Sequence, residues 1–195
     1  MRLMWCCDEP PMQVSPPCQI RICALKFLCS NTLIYVYIVS TVVHVCLICG
    51  EGGHLREMLQ IAGVLESESI DFFIVTVDSP STRGMRNTIL IPIKHNRLPM
   101  TIGSNILSLI HAIGIIKKES PDFIVSTGPE FAIPYFILAK MRKACCTIFV
   151  ESLSRMNHPS ATGRLIRFFA DVYLVQWQEG LKNFPRKAEY WGRVI

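Results

Sequence analysis

The stretch VVHVCLICGEGGHL, residues Val42 to Leu55, decides the fold of this 195-residue chain. Its first eight residues form an apolar, valine-rich run that is typical of a buried strand. The glycine-rich turn GEGGH, residues 50–54, follows, and a helical pattern begins at Leu55. A strand that ends in a glycine turn before a helix presents backbone N–H groups to an anion. We therefore expect a ligand site at this turn.

Composition indicates one domain with an apolar core. Half of the residues are hydrophobic and the net charge is +5. This charge alone leaves anionic lipid, sugar phosphates and nucleic acid open as ligands, but the sequence has no interleaved basic and aromatic pattern of an RNA-binding motif. Cys46, Cys49, Cys145 and Cys146 lie in apolar runs, where cysteine acts as a small hydrophobe. Reduced thiols and a cytosolic domain are therefore expected.

The chain before the first strand divides into two segments. Residues 1–23 are proline-rich and are predicted to be irregular. Residues 24–41 are apolar and are predicted to associate with a membrane, either by crossing it or by lying on its surface. Residues 42–195 then form the domain.

Apolar strand patterns alternate with helical patterns from residue 42 onward. Strands are predicted at Val42–Cys49, Phe72–Val77, Thr88–Ile93, Asp122–Ser126, Cys146–Val150, Val172–Gln176 and Ala188–Tyr190, and helices at Leu55–Leu65, Ile102–Lys118, Phe131–Lys143, Gly163–Ala170 and Glu179–Phe184. Continuous apolar strands between helices predict a parallel sheet that is covered on both faces. The fold class is therefore α/β, a doubly wound Rossmann-like domain.

Ligands of such sheets bind beyond the carboxyl ends of the strands. Two glycine turns lie there. Gly50, Gly52 and Gly53 are expected to hold a phosphate with their backbone, and His54 adds a hydrogen bond. The turn at Gly128 and Pro129 has the same strand–turn–helix arrangement. If the two strands are neighbours, the turns share a diphosphate.

A third strand end carries a carboxylate, Glu151. It is placed to act as a general base or to bind sugar hydroxyls. It is equally placed to cap the following turn or to pair with Arg155.

A dinucleotide site is the nearest alternative. Gly50 and Gly52 fit the start of G-x-G-x-x-G, and Asp78 stands at the end of the second strand, where an acid would bind the ribose. However, Leu55 occupies the third glycine position, where close packing of helix on strand requires a small residue.

An ordered set of short motifs resembles the Alg14 family. The motifs are G-x-G-G-H at 50–54, STGP at 126–129 with IP at 133–134, VES at 150–152, VQW at 175–177 and GRVI at 192–195. They span nearly the whole domain. The bacterial relatives of this family are PssD/CpsF-type subunits of exopolysaccharide glycosyltransferases, and the family is similar to the N-terminal half of GT-B enzymes such as MurG.

The resemblance implies a subunit of a two-chain UDP-sugar glycosyltransferase (a hexosyltransferase) that is inactive without its partner. The partner chain binds the UDP-sugar, and no cofactor is held tightly. This subunit recruits the partner to a membrane and supplies the site for a polyprenyl-diphosphate-linked sugar, on the cytoplasmic face. In lipid-linked oligosaccharide synthesis the carrier is dolichol and the membrane is the endoplasmic reticulum; in exopolysaccharide synthesis it is the plasma membrane.

The implied site residues follow from matching positions. Gly50, Gly52, Gly53, His54, Gly128 and Pro129 bind the acceptor diphosphate. Glu151 and His54 are the candidate catalytic residues, although the residues that flank the MurG acid are absent around Glu151. Gly192, Arg193, Val194 and Ile195 contact the partner. A stand-alone nucleotide-binding enzyme and a pure scaffold that only recruits the partner are the competing interpretations.

Overall fold

The computed structural model of the chain describes residues 24–29, 32–37, 43–92, 102–142 and 145–194, and for 24–29, 32–37 and 102–106 the description covers the backbone. The strands are β1 Ala24–Cys29, β2 Thr32–Tyr37, β3 His44–Ile48, β4 Asp71–Val77, β5 Thr88–Ile91, β6 Phe123–Ser126, β7 Cys146–Val150, β8 Val172–Val175 and β9 Ala188–Tyr190. The α-helices are α1 Gly53–Ser67, α2 Ile102–Glu119, α3 Ile133–Arg142 and α4 Ala161–Ile166, with 3-10 turns at Glu130–Ala132 and Leu181–Asn183.

Seven strands form one parallel sheet in the order β5-β4-β3-β6-β7-β8-β9. The chain builds outward from β3 to β5, returns to the middle and builds outward again from β6. The strand order therefore reverses between β3 and β6. Ile48 pairs with Ser126 at the end of these two strands, so the turns that follow them flank the crevice where ligands of doubly wound sheets bind.

Helices cover the two faces of the sheet as the alternation of side chains requires. The α1 residues Leu55, Met58, Ile61 and Leu65 form one core cluster with residues such as Leu47 of β3. The second core cluster is formed by residues of α2, α3 and α4 with the opposite set of strand positions. Its strand members include Cys46, Ile48, Val75, Ile124, Phe149 and Tyr173. These two layers confirm the predicted doubly wound α/β class.

Several predicted element boundaries differ from those of the structure. β5 ends at Ile91, and Ile93 lies outside the described residues. The helix predicted from Phe131 begins as a 3-10 turn, and α3 proper starts at Ile133, with Pro134 in its first turn. The helix predicted at Gly163–Ala170 is the shorter α4, because Ser160 caps it early and the chain leaves it after Ile166. The helix predicted at Glu179–Phe184 is only the 3-10 turn.

The segment expected to associate with a membrane is a β-hairpin over its described part. β1 and β2 pair antiparallel, with Ala24 opposite Tyr37 and Cys29 opposite Thr32. Within the described ranges, the helices are too short or too polar to span a bilayer. The irregular segment predicted for residues 1–23 lies outside the described residues. A membrane role for residues 24–41 stays a prediction.

Among the four cysteines of the described residues 43–92 and 145–194, one departs from the expectation of reduced thiols. Cys46, Cys49 and Cys145 are buried free thiols, as apolar strand residues should be. Cys146 is disulfide-bonded, so its thiol is not reduced in this structure.

Candidate functional site

The first glycine turn leaves its backbone open. Gly52 adopts φ +65° and precedes α1 without a side-chain cap, so the first N–H groups of the helix are not taken up by a capping side chain. A Cβ added at Gly52 or Gly53 would meet no atom within 4 Å. Glycines that leave such space let a ligand approach the backbone closely. The geometry suits an anion at the N-terminus of this 15-residue helix.

The second glycine turn lies against the first. A Cβ built on Gly50 would lie 3.6 Å from Pro129 Cβ, an ordinary contact distance. Thr127 Oγ1 donates a hydrogen bond to the carbonyl oxygen of His54 at 3.1 Å. Gly128 adopts φ +119°, which favours glycine, and a Cβ there would lie 3.2 Å from His54 Cε1. The structure thus brings the two predicted turns together around His54.

The imidazole of His54 has an unused hydrogen-bonding atom. Nδ1 is buried and has no hydrogen-bond partner among the described residues, while the residue as a whole is half-buried. Buried polar atoms are nearly always paired in folded proteins. This ring nitrogen, unpaired in the described part of the chain, is enclosed beside Gly128, so a ligand oxygen would reach it only after the imidazole turned about its side-chain torsions.

One oxygen of the Glu151 carboxylate is hydrogen-bonded to described residues of the fold, and the other is not. The residue is 1% exposed, and its Oε2 accepts hydrogen bonds from Tyr173 Oη at 2.7 Å and from the backbone N of Ser160 at 3.1 Å. Burial and the neighbouring carboxylate raise the pKa of Tyr173, so the phenol stays a donor. Oε1 has no partner within the described part of the chain. The hydrogen bonds of Oε2 fit a structural acid that holds the following turn in place. A catalytic role for Glu151 stays a prediction.

Sequence reasoning missed a second buried acid, Glu57 of α1. It is 8% exposed, and its Oε1 accepts from Ser152 Oγ at 3.1 Å and from the backbone N of Leu153 at 3.0 Å. Burial raises the pKa of the Glu57 carboxyl, and these hydrogen bonds lower it in part. The signal was present in the sequence, because a glutamate shares the stripe of Ile61 and Leu65, which are both buried.

The C-terminal tail reaches the same edge of the sheet. The Gln176 side chain, just after β8, accepts a hydrogen bond from the backbone N of Val194 at 2.7 Å. The Arg193 guanidinium stacks over the Trp177 ring at 3.8 Å. Gly192 adopts φ +111°, and Ile195 lies outside the described residues. The predicted partner-contact residues thus lie beside Gln176; contact with a partner stays a prediction.

The described side chains of this edge supply neither a metal-binding cluster nor an unpaired acid after β4. Across residues 43–92, 102–142 and 145–194, no three His, Cys, Asp or Glu side chains group in a way that could hold a metal. The Asp78 carboxylate, which the dinucleotide alternative needs for a ribose, is taken by Arg83, whose Nε donates to Oδ1 at 2.6 Å. Leu55 is buried in the core, so it does not leave the third glycine position open.

Solved structures share this fold. The Acinetobacter baumannii MurG structure matches with a TM-score of 0.60 and 16% identity, over 76% of this chain and 44% of that one. A UDP-N-acetylglucosamine 2-epimerase from Rickettsia bellii matches with a TM-score of 0.61 and 17% identity, over 78% and 45%. The chain therefore spans less than half of either neighbour. Its class is the Rossmann-like α/β domain that forms one half of GT-B proteins.

Sequence comparison narrows the class to a family. Residues 45–194 match the model described as "Oligosaccharide biosynthesis protein Alg14 like". This chain belongs to the Alg14 family. Relatives named UDP-N-acetylglucosamine transferase subunit ALG14 include those of Yarrowia lipolytica, 26% identical over 75% of this chain and 78% of the relative, and of Homo sapiens, 22% identical over 77% and 82%. The predicted resemblance is confirmed for Alg14 and for the N-terminal half of MurG; the bacterial PssD/CpsF-type relationship stays a prediction.

Proposed function

We propose that this chain is the acceptor-binding and membrane-recruiting subunit of a two-chain UDP-sugar glycosyltransferase that extends a polyprenyl-diphosphate-linked sugar. The observation that carries the proposal is the pair of glycine turns at the β3–β6 reversal, joined by a half-buried histidine with an unpaired Nδ1. A diphosphate supplies the oxygens that such backbone N–H groups and an imidazole N–H bind. The names of the relatives favour N-acetylglucosamine as the transferred sugar. Hexose transfer in exopolysaccharide synthesis is the alternative.

The transfer itself requires little chemistry from this chain. The acceptor hydroxyl attacks C1 of the donor sugar, a new C1–O bond forms, and the bond from C1 to the UDP oxygen breaks. UDP leaves with the electron pair, and the hydroxyl proton passes to a base. Binding the diphosphate beside His54 fixes the acceptor sugar at the carboxyl edge of the sheet, and correct placement alone accounts for a large part of such a rate enhancement. A separate chain is proposed to supply the donor site, because the relatives are named as one subunit of a UDP-N-acetylglucosamine transferase.

A histidine pair tests the acceptor site. Each variant is co-expressed with the donor-binding chain and assayed for transfer from UDP-N-acetylglucosamine to a short-chain polyprenyl-diphosphate-N-acetylglucosamine. His54→Ala removes a charge-assisted hydrogen bond, so transfer should fall about 10- to 100-fold. His44→Ala is the matched control, a half-buried histidine at the amino end of β3, and should keep transfer within about twofold per folded molecule. If His54→Ala recruits the partner and transfers at the wild-type rate, the scaffold interpretation replaces ours.

Glu151→Gln tests the second candidate catalytic residue. A glutamine oxygen at the Oε2 position accepts from Tyr173 and Ser160 as the carboxylate does, so the fold is kept. If Glu151 takes the proton from the acceptor hydroxyl, transfer falls by about 100-fold or more. An active variant would limit Glu151 to its structural contacts.

An uncovered apolar face supports the membrane contact. On α2, Leu109, Ile110 and Ile113 are 39%, 60% and 36% exposed, and Lys117 and Lys118 stand in the last turn. Apolar residues flanked by lysines suit the surface of a bilayer with anionic lipid. We expect this face to add to the contact predicted for residues 24–41.

Vesicle flotation tests this face with a matched pair of variants. The vesicles contain phosphatidylcholine with a minority of phosphatidylserine. Ile110→Ser removes an apolar side chain worth about 1.5–3 kcal/mol on burial, so binding should weaken about tenfold or more. Leu59→Ser changes a 43% exposed leucine of α1, on the other face of the sheet, and should float as wild type does. Equal flotation of both variants would remove α2 from the contact.

Protease protection on sealed membranes tests the cytoplasmic orientation. A cytosol-facing domain is digested without detergent. Digestion only after permeabilisation would place the domain on the opposite side and contradict the proposed location.

A further inference from the structure

Glu57 and the C-terminal tail meet at Gln176 although they lie far apart in sequence. Gln176 Nε2 donates to Glu57 Oε2 at 3.4 Å and to the backbone O of Glu151 at 3.0 Å. Its Oε1 accepts from the backbone N of Val194 at 2.7 Å. Gln176 is 2% exposed, so these groups exchange little with water. One buried amide therefore links α1, the end of β7 and the tail.

A second line of contacts also leads from the tail to Glu57, and it closes a ring of hydrogen bonds through Gln176, Trp177 and Leu153. Trp177 Nε1 donates to the backbone O of Leu153 at 2.6 Å, and Leu153 N donates to Glu57. Arg193 stacks on the Trp177 ring, and its Nε donates to the backbone O of Gln176 at 3.3 Å. The tail thus holds both residues that follow β8, and each of them leads back to the Glu57 carboxylate.

The donors and acceptors of this ring match only when residue 57 is a carboxylate. Ionised Glu57 accepts at both oxygens, from Leu153 N on one side and from Gln176 Nε2 on the other. A glutamine at 57 would point an NH₂ group at one of these two donors in either orientation. Turning the Gln176 amide instead would set its NH₂ group against Val194 N and its oxygen against Glu151 O. Every arrangement of Glu57→Gln leaves at least one donor unpaired.

Glu57 is also rigidly connected to the first glycine turn. It lies three residues after His54 on α1, which is one helical turn. The contacts of the Glu57 carboxylate therefore bear on the first turn of α1, which carries the imidazole. His54 in turn fills the space beside Gly128.

We propose that Glu57 is a positioning residue that couples the C-terminal tail, residues 192–194, to the first glycine turn. When the tail is held in place, Gln176 is fixed, Glu57 is fixed, and His54 stands ready for the acceptor. When the tail is released, the same ring loosens the N-terminus of α1. The inference rests on the proposed function for its meaning in catalysis, and the coupling itself lies within this chain.

Hydrogen exchange on the full-length chain tests the coupling without any partner. Val194→Pro removes the N–H that Gln176 accepts from, and Val194→Ala keeps it and serves as the matched control. Loss of one buried hydrogen bond should speed exchange of the α1 peptide over residues 53–60 about 2- to 10-fold in Val194→Pro, and less than twofold in Val194→Ala. In the Glu57→Gln background, where the ring is already broken, Val194→Pro should add less than about twofold. Equal effects of Val194→Pro in both backgrounds, or none in either, would overturn the proposal.

A second variant covers the case in which Glu57→Gln fails to fold. Gln176→Leu breaks the same ring at its middle and leaves the contact of Glu57 with Leu153. The same loss of additivity with Val194→Pro is expected. Additive exchange rates in this background would also contradict the coupling.

Steady-state kinetics with the donor-binding chain separate positioning from a merely structural role. Glu57→Gln and Val194→Pro should each raise KM for the polyprenyl-diphosphate-N-acetylglucosamine acceptor about tenfold, with KM for UDP-N-acetylglucosamine within twofold. The double variant should raise the acceptor KM no further than the more impaired of the two single variants does. Two independent losses that multiply would refute coupling. A wild-type complex that transfers no sugar would refute the proposed function instead, and the exchange experiment would still decide the coupling.

Discussion

Gly128→Ala addresses the centre of the candidate site. Gly128 adopts φ +119°, and a Cβ there would lie 3.2 Å from His54 Cε1 and 3.7 Å from His54 Nδ1. The positive φ alone costs about 1–3 kcal/mol for a residue with a side chain. The contact adds to this cost, because the ring must retreat by a few tenths of an ångström. At about 2–4 °C for each kcal/mol, the melting temperature should fall about 3–10 °C. Displacement of the ring should lower sugar transfer about tenfold or more.

Two other glycine variants separate the loss of thermal stability from the loss of sugar transfer. Gly84→Ala carries a positive φ of +84° with no atom within 4 Å, so it should lower the melting temperature and leave transfer unchanged per folded molecule. Gly63→Ala has open space inside α1 and should raise stability by about 0.5–1 kcal/mol. The measurements are thermal unfolding and the radiolabelled transfer assay. If Gly128→Ala melts and transfers as wild type does, Gly128 does not set the position of His54.

Three further predictions concern buried groups. Gly163→Ala would place a Cβ 2.4 Å from both Glu151 Oε2 and Tyr173 Oη, so a loss of about 1–3 kcal/mol is expected in chemical denaturation, and unchanged stability would contradict the packing. Burial raises the pKa of the Glu57 carboxyl above its ordinary value of 4.5. As the pH rises, the unfolded chain therefore releases this proton before the folded chain does. The contribution of Glu57 to the free energy of unfolding falls between the unfolded and the folded pKa. The melting temperature of Glu57→Gln minus that of wild type should therefore increase between about pH 4 and pH 7, and a flat difference would contradict the shift. Burial raises the pKa of Cys49 to about 12, so iodoacetamide at about pH 8 should label it only after unfolding, as mass spectrometry would detect.

The sheet and its ligand edge were predictable because they depend on local patterns. Apolar runs and glycine turns place Gly50 and Gly128 at strand ends, and the rule for parallel sheets brings these ends to one edge. The prediction that the two turns are neighbours needed the strand order. The structure gives that order, with Ile48 beside Ser126.

Other parts of the site depend on contacts between distant residues, which no local pattern carries. The partners of Glu57 lie 95 to 119 positions away in the chain, so its role could not be derived from its neighbours in sequence. The position of Glu151 after β7 was predicted, yet its hydrogen bond to Tyr173 was not. The apolar run at 24–37 was ambiguous because hydrophobicity alone does not distinguish a membrane segment from a pair of strands.

The two glycine turns resemble each other in sequence and differ in what their glycines do. At Gly52 and Gly53 the missing side chains leave open space, which a ligand can enter to reach the backbone. At Gly128 the missing side chain leaves space that His54 already fills. Both turns lie where the strand order reverses. In the proposed function, the first turn would offer N–H groups to the acceptor, and the second would hold the imidazole beside them. The carboxylate of Glu57 then matters because it fixes the helix that carries both the open turn and the ring, so three separate features converge on the orientation of one histidine.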